Sequence, residues 1–198
     1  MKSINQSINQ SFIAGVAAVG VAALVATPVF AVDPATWNQT VQVTTNSVIT
    51  ISSTAGSPVT IAVDPSSGGF GTTAVPITVA SNNATGYGLT LSMISTDAKN
   101  GALFDTTAST TDVIAGASGT LTANQWGYYV GSSSTDIPTV ASTFSQVPAS
   151  SSPADLMTAT TQAGSTTVYV NYGAVVDYNL ESGITYSNQV TYTASVQP

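Results

Sequence analysis

Beyond residue 31 the chain has no long apolar segment with the 3.6-residue period of a helix, and its apolar residues fall in short runs. These runs are rich in valine, isoleucine and threonine, whose branched side chains favour extended backbone. Glycine, proline, serine and asparagine separate them, as is typical of turns. We therefore expect an all-β fold, a single antiparallel β-sandwich with Greek-key connections and eight or so strands.

The individual runs predict where the strands lie. We expect strands over residues 40–44, 48–52, 59–63, 74–80, 87–93, 125–130, 166–176 and 187–196. Alternation predicts that one face of the fifth strand carries Tyr87, Leu89, Leu91 and Met93. Proline cannot donate to a ladder, so the strand that contains Pro76 is expected to lie at an edge or to begin after that residue.

The stretch from residue 131 to 165 differs from the rest of the chain. Serine-rich pieces at 132–135 and 149–153 are typical of loops, and only Pro153–Ala159 has the composition of a short helix. Asn100 and Gly101 form a strong turn signal before Ala102. The sequence therefore predicts long loops on one part of an otherwise regular sheet framework.

The first 31 residues have the pattern of a secretory signal. Lys2 is the only charge before an apolar run from Phe12 to Val25, and Val29 and Ala31 occupy the places that signal peptidase reads. We expect a signal helix that is cleaved after Ala31, leaving residues 32–198 as the β-sandwich domain of a secreted, extracellular protein. The alternative is an uncleaved membrane anchor, since the run approaches the about 20 residues that a span requires.

Charge and side-chain chemistry exclude several classes of function. After residue 31 the chain has no Arg, His or Cys, and nine acidic residues face Lys99 alone, a net charge of −8. An acidic surface repels phosphate, which argues against nucleic acid and anionic lipid as partners. Disulfides are excluded, and acid–base catalysis has few groups to use. We expect no enzymatic activity and no cofactor.

The aromatic residues are the best candidates for ligand binding. Trp126 and Tyr128 share one face of a predicted strand and could stack on a sugar ring, with Tyr129 on the other face. The competing interpretation is that these rings belong to the core. Trp37 could pin the first strand to the core, or could belong to an N-terminal extension that joins a neighbouring subunit by strand addition.

The aspartates offer a weaker hypothesis of a calcium site. Asp97, Asp105 and Asp112 lie near one another in sequence, but their spacing matches no calcium loop motif. We expect ordinary solvated turn acids and no metal.

Four blocks carry a resemblance to known proteins. Residues 76–91, 125–128, 170–177 and 182–194 resemble, in sequence and in order, blocks of secreted surface proteins of candidate-phylum and Gram-positive bacteria. The arrangement is more distantly similar to the WxL surface domain. Its two Trp-x-Leu motifs would fall at Tyr87-Gly88-Leu89 and Tyr192-Thr193-Ala194, where both tryptophans and the second leucine are missing. The resemblance implies a β-sandwich, and WxL membership would imply non-covalent association with peptidoglycan.

Together these features predict a non-enzymatic, exported protein that serves as a structural or adhesive module of the bacterial envelope. Its partners would be cell-wall glycan, other surface proteins or copies of itself, with no membrane span after signal cleavage. Two alternatives stay open: a carbohydrate-binding or peptidoglycan-binding module that uses Trp126 and Tyr128, and a subunit of a surface polymer, such as a surface layer or a pilus-like thread, joined by strand addition.

Overall fold

The structure is a computed structural model that describes residues 39–67, 69–94, 101–105, 113–161, 164–180 and 183–197. Within these ranges one short 3-10 helix, Pro65–Ser67, accompanies ten β-strands. The strands are β1 Ile49–Ser53, β2 Phe70–Ser81, β3 Tyr87–Met93, β4 Leu103–Asp105, β5 Val113–Gly116, β6 Gln125–Gly131, β7 Ala154–Ala159, β8 Gly164–Val175, β9 Tyr186–Ser187 and β10 Val190–Val196. The described chain is all-β, as predicted.

The strands form two sheets. A seven-stranded sheet has the order β1-β2-β8-β6-β5-β4-β9, and a three-stranded sheet has the order β10-β3-β7. Every neighbouring pair is antiparallel except β5 and β6, which pair in parallel over two residues. All ten strands belong to the compact unit Thr45–Pro198.

Both sheets contribute side chains to one hydrophobic cluster. The contributors alternate with outward-facing residues along the longest strands, as a half-buried sheet requires. Its fully buried members include Val79 of β2, Leu89 and Leu91 of β3, and Val170 of β8. The predicted inner face of residues 87–93 is confirmed, since Tyr87, Leu89, Leu91 and Met93 are all buried.

Two predicted strands do not form. Residues 40–44 have no strand partner among the described residues, and Val41 and Val43 are 82% and 84% exposed. Residues 59–63 contain no strand, and Ala62 and Val63 pass over the face of β2, where the Ala62 carbonyl oxygen occupies the space that a Cβ on Gly71 would need. A segment that lies on the face of a strand cannot join the hydrogen-bonded ladder at its edge. The strand predicted at residues 59–63 was therefore wrong, because the fold places this segment on a face and not at an edge.

Pro76 lies inside β2, not before it, and is paired with Tyr169 of β8. Its carbonyl oxygen accepts a hydrogen bond from Ser53 Oγ at 2.7 Å, which places the missing N–H on the same side. That is the side of β1, whose pairing with β2 runs only from Ile77 to Ser81. The proline therefore breaks no hydrogen bond of the ladder, because the pairing of β1 with β2 has ended before Pro76 is reached.

The helix expected at Pro153–Ala159 is instead strand β7. Ala154–Ala159 pairs with β3 from Tyr87↔Ala159 to Leu91↔Ala154, with a register shift between Leu89 and Thr90. Leu156 and Met157 pack against the shared cluster, whereas Asp155 and Thr158 face outward. Pairing along β3 therefore overrides the local helix propensity of this segment. The expected signal helix and Trp37 lie outside the described residues.

Candidate functional site

Strand β6 holds the two aromatic residues predicted to bind a ligand. Trp126 and Tyr128 lie on its inner face and are only 3% and 7% exposed. The Trp126 indole nitrogen donates to the Gly101 carbonyl oxygen at 2.7 Å, and its ring centroid is 6.0 Å from that of Tyr172. Both rings belong to the core, as the competing interpretation predicts. Sugar binding by these rings stays a prediction, and it would require the core to open.

A hydrogen bond between two tyrosine hydroxyls joins the two sheets. Tyr172 of β8 and Tyr192 of β10 are hydrogen-bonded at 2.6 Å between their hydroxyl oxygens. Burial raises the pKa of Tyr192 to about 12, although its hydrogen bond to Tyr172 lowers it somewhat. Burial raises the pKa of Tyr172 still further, and the neighbouring Tyr192 reinforces that shift. Both phenols therefore stay neutral at physiological pH and act as a polar link between sheets.

The outer face of β6 carries a feature that the sequence did not reveal. Gly127 and Gly173 are directly opposite one another in the β6–β8 register. The Phe144 side chain, 1% exposed, lies over this glycine pair and contacts the rings of Phe70 and Tyr129 at centroid distances of 6.2 and 6.4 Å. Phe144 thus acts as a plug that fastens the connection after β6 to the back of the larger sheet.

Backbone pairing fixes the plug in place. The Phe144 amide donates to the Gly119 carbonyl oxygen and Ser145 exchanges two hydrogen bonds with Tyr128, all at 2.8 Å. The only sequence signal for this arrangement is the presence of a glycine in each of two aromatic-rich strands. The segment predicted as a long loop is therefore partly anchored, and it also contains β7.

The turn after β6 is organised by one carboxylate. Asp136 accepts hydrogen bonds from the Ser132 amide and hydroxyl at 2.7 and 3.0 Å, and from the Tyr129 hydroxyl at 3.2 Å. The Ser132 hydrogen bonds, the amide first, hold the pKa of Asp136 below its usual value. Its hydrogen bond and charge raise the pKa of Tyr129. The Asp136 carboxylate therefore stabilises the turn after β6.

Of the three aspartates considered for calcium, only Asp105 lies in the described part of the chain. Asp105 lies in β4 and is 8% exposed, so its interpretation as a solvated turn acid was wrong. Asp97 and Asp112 lie outside the described residues. Across the ranges that the structure describes, no group of three or more His, Cys, Asp or Glu side chains could hold a metal ion.

An open groove of about 370 Å³ separates the edge strands β1 and β10. Its apolar lining comes from Ile51, Ile77, Val190 and Tyr192, with the hydroxyl-bearing residues Ser52, Ser53 and Thr191 beside them. None of these residues is charged. The arrangement offers a docking surface with exposed backbone at its edges, and it contains no acid–base pair.

Comparison with models of known protein families finds no match, and comparison with curated proteins finds no significant one. In the described part of the chain, no helix has the length and apolar character needed to cross a membrane.

Proposed function

We propose that this chain is an exported, non-enzymatic protein of the cell surface, where it serves as a structural or adhesive module. In this proposal residues 1–31 are a cleaved signal and residues 32–198 form a β-sandwich with Greek-key connections. Support for the sandwich comes from the single hydrophobic cluster that residues of both sheets share. The wall glycan or a neighbouring protein would be the partner.

The observation that carries the proposal is a row of hydroxyl side chains across three strands. Ser52, Thr78 and Thr167 are in register on β1, β2 and β8, and the Thr78 and Thr167 hydroxyls are 2.8 Å apart. Uncharged hydroxyls both donate and accept, so such a row suits sugar hydroxyls or another hydroxyl-rich surface. Hydrogen bonds of this kind depend little on ionic strength, because neither side carries a charge.

Surface location is tested by antibody labelling of intact cells followed by electron microscopy. We expect label on the cell surface and in the envelope fraction, with the chain beginning at Val32 by N-terminal sequencing. Retention in the cytosol, or turnover of a substrate by the purified protein, would overturn the proposal.

Adhesion is tested with isolated cell envelopes and purified protein. We expect Thr78→Val with Thr167→Val to weaken envelope binding, since the hydroxyls are lost while the side-chain shape is nearly kept. Thr158→Val, an exposed threonine on β7 of the other sheet, is the matched control. Equal binding by all three proteins would exclude the hydroxyl row as the adhesive surface.

A further inference from the structure

The segment before β1 has the pattern of a strand but no strand partner among the residues that the structure describes. Residues 39–48 contain no regular structure, and the two valines at alternate positions, Val41 and Val43, are almost fully exposed. Thr40, Gln42 and Thr44 occupy the positions between and beside them. In extended backbone the valines would share one face and the polar residues the other. Such a segment is suited to pairing with a sheet that is apolar on one side.

Strand β10 offers an edge of matching length. It pairs with β3 and with no other described strand. The Ile94 amide donates to Gln189, and the Gln197 amide donates to Gly86, so the odd-numbered residues of β10 are those that face β3. The backbone N–H and C=O groups of the even-numbered residues Val190, Tyr192, Ala194 and Val196 therefore point away from the sheet.

The apolar side chains beside this edge match the valines of the segment. Val190 and Tyr192 line the groove together with Ile51 and Ile77, and Val196 at the end of β10 is 46% exposed. A strand that paired with β10 would direct alternate side chains toward this lining and the others toward solvent.

Neither surface has the features that usually prevent edge pairing. Proteins protect exposed edges with charged side chains, proline or bulges. The chain has no charged residue from Pro34 to Val63, none from Ser182 to its last residue, and no proline in β10. Segment and edge are both uncharged and hydroxyl-rich, so no repulsion opposes their meeting.

We propose that residues 40–44 of one copy add as a strand to the β10 edge of a second copy, with Val41 and Val43 directed into the groove between β1 and β10. This deepens the proposed function and rests on it, because it makes a second copy of the chain the partner of the module. Each copy would use its own segment as donor and its own edge as acceptor. Repetition of this head-to-tail contact would generate a thread or an open array.

The donor side is tested by light scattering coupled to size-exclusion chromatography, using protein purified from the medium of an exporting host. We expect association that increases with concentration. Val41→Lys with Val43→Lys should weaken it about 100-fold, the loss expected for two buried valine side chains. Gln42→Lys with Thr44→Lys adds the same charge on the opposite face of the strand and should leave association nearly unchanged. Equal weakening by both pairs would overturn the proposal.

The acceptor side is tested with Ala194→Pro. The Ala194 N–H points away from β3, so its loss spares the ladder and should leave the thermal midpoint close to that of the parent protein. Thermal melting and circular dichroism establish that the fold is kept. This variant should not assemble with itself. Mixed in equal amounts with the Val41→Lys, Val43→Lys protein, it should give dimers only, because each protein retains one working half. The absence of such dimers would overturn the proposal.

These outcomes separate the inference from the proposed function. A protein that labels the cell surface yet stays monomeric at millimolar concentration contradicts strand addition and leaves the surface module intact. Assembly in solution by a protein found only in the cytosol would support strand addition and contradict the surface module.

Discussion

The two faces of the β6–β8 pair are covered in different ways. The inner face carries Trp126, Tyr128 and Tyr172 and is covered by the second sheet. The outer face has Gly127 opposite Gly173 and is covered there by the Phe144 side chain from the connection after β6, with the Ala117 and Ser145 carbonyl oxygens beside Gly127. The inner face is filled by side chains of the strands themselves, whereas the outer face is a depression that receives a ring from elsewhere.

This difference indicates how the chain fastens a long connection without a disulfide. The inner face packs against the three-stranded sheet and is also joined to it by the Tyr172–Tyr192 hydrogen bond. The plug is held by its ring contacts and by the hydrogen bonds of Phe144 and Ser145. Since Phe144 ties down part of the region after β6, the exposed segment before β1 becomes the better candidate for contact with a partner.

The largest expected effect is on the inner face. Trp126→Ala should lower the free energy of unfolding by about 3–5 kcal/mol, since it leaves a cavity and removes the donor to the Gly101 carbonyl. Phe144→Ala should fall toward the low end of that range, because its connection can close over the space. Urea unfolding measures both, with the exposed Tyr178→Ala as a control expected to stay within about 0.5 kcal/mol. A greater loss from Phe144→Ala would reverse the ranking of the two faces.

The glycine depression can be tested directly. A Cβ at Gly173 would lie 2.5 Å from Cε1 and 2.7 Å from Cζ of Phe144, so Gly173→Ala should cost about 1–3 kcal/mol through overpacking. In the Phe144→Ala background the same change should cost clearly less, since the ring it opposes is gone. Gly56→Ala, where an added Cβ meets nothing within 4 Å, is the control. Additive losses would contradict the contact between ring and glycine.

The tyrosine pair makes the inner face sensitive to alkali. The raised pKa values mean that the folded state keeps protons that the unfolded state releases above about pH 10. Their contribution is therefore full below pH 10 and is lost as the pH rises toward the folded pKa of about 12 for Tyr192. The free energy of unfolding should fall by up to about 1.4 kcal/mol per pH unit for each tyrosine.

Urea unfolding between pH 8 and 12 measures this slope, and Tyr192→Phe should make it shallower. That variant should also be less stable at pH 7 by about 1 kcal/mol, because Tyr172 loses its partner. An unchanged slope in Tyr192→Phe would contradict the assignment of the alkaline transition to this pair.

The smallest effect concerns the turn beside the plug. Since hydrogen bonds from Ser132 lower the pKa of Asp136, its contribution is full above the unfolded value of about 3.9 and is lost as the pH falls through the folded pKa. NMR titration should find the Asp136 pKa below 3.9, and Asp136→Asn should slightly flatten the acid limb of the stability curve. A pKa at or above 3.9 would contradict the hydrogen bonding of this turn.

The sequence by itself determined that the chain is all-β and which side chains of residues 87–93 face inward. Alternation at residues 87–93 and 125–130 predicted strands and faces, because the two-residue period is a property of extended backbone and needs no knowledge of partners. Alternation also placed Trp126 and Tyr128 on one side of their strand. It left two interpretations open, that the rings are buried in the core or that they bind a ligand.

Only the tertiary structure decided which strand-like segments find a partner. Residues 154–159 became a strand because β3 offered an edge, whereas residues 40–44 have the stronger strand composition and no strand partner in the described part of the chain. The cover that Phe144 provides for Gly127 and Gly173 joins residues far apart in sequence, as does the Tyr172–Tyr192 bond between sheets. The physical reason is that side-chain periodicity is local, whereas ladder pairing and close packing depend on which distant segments meet.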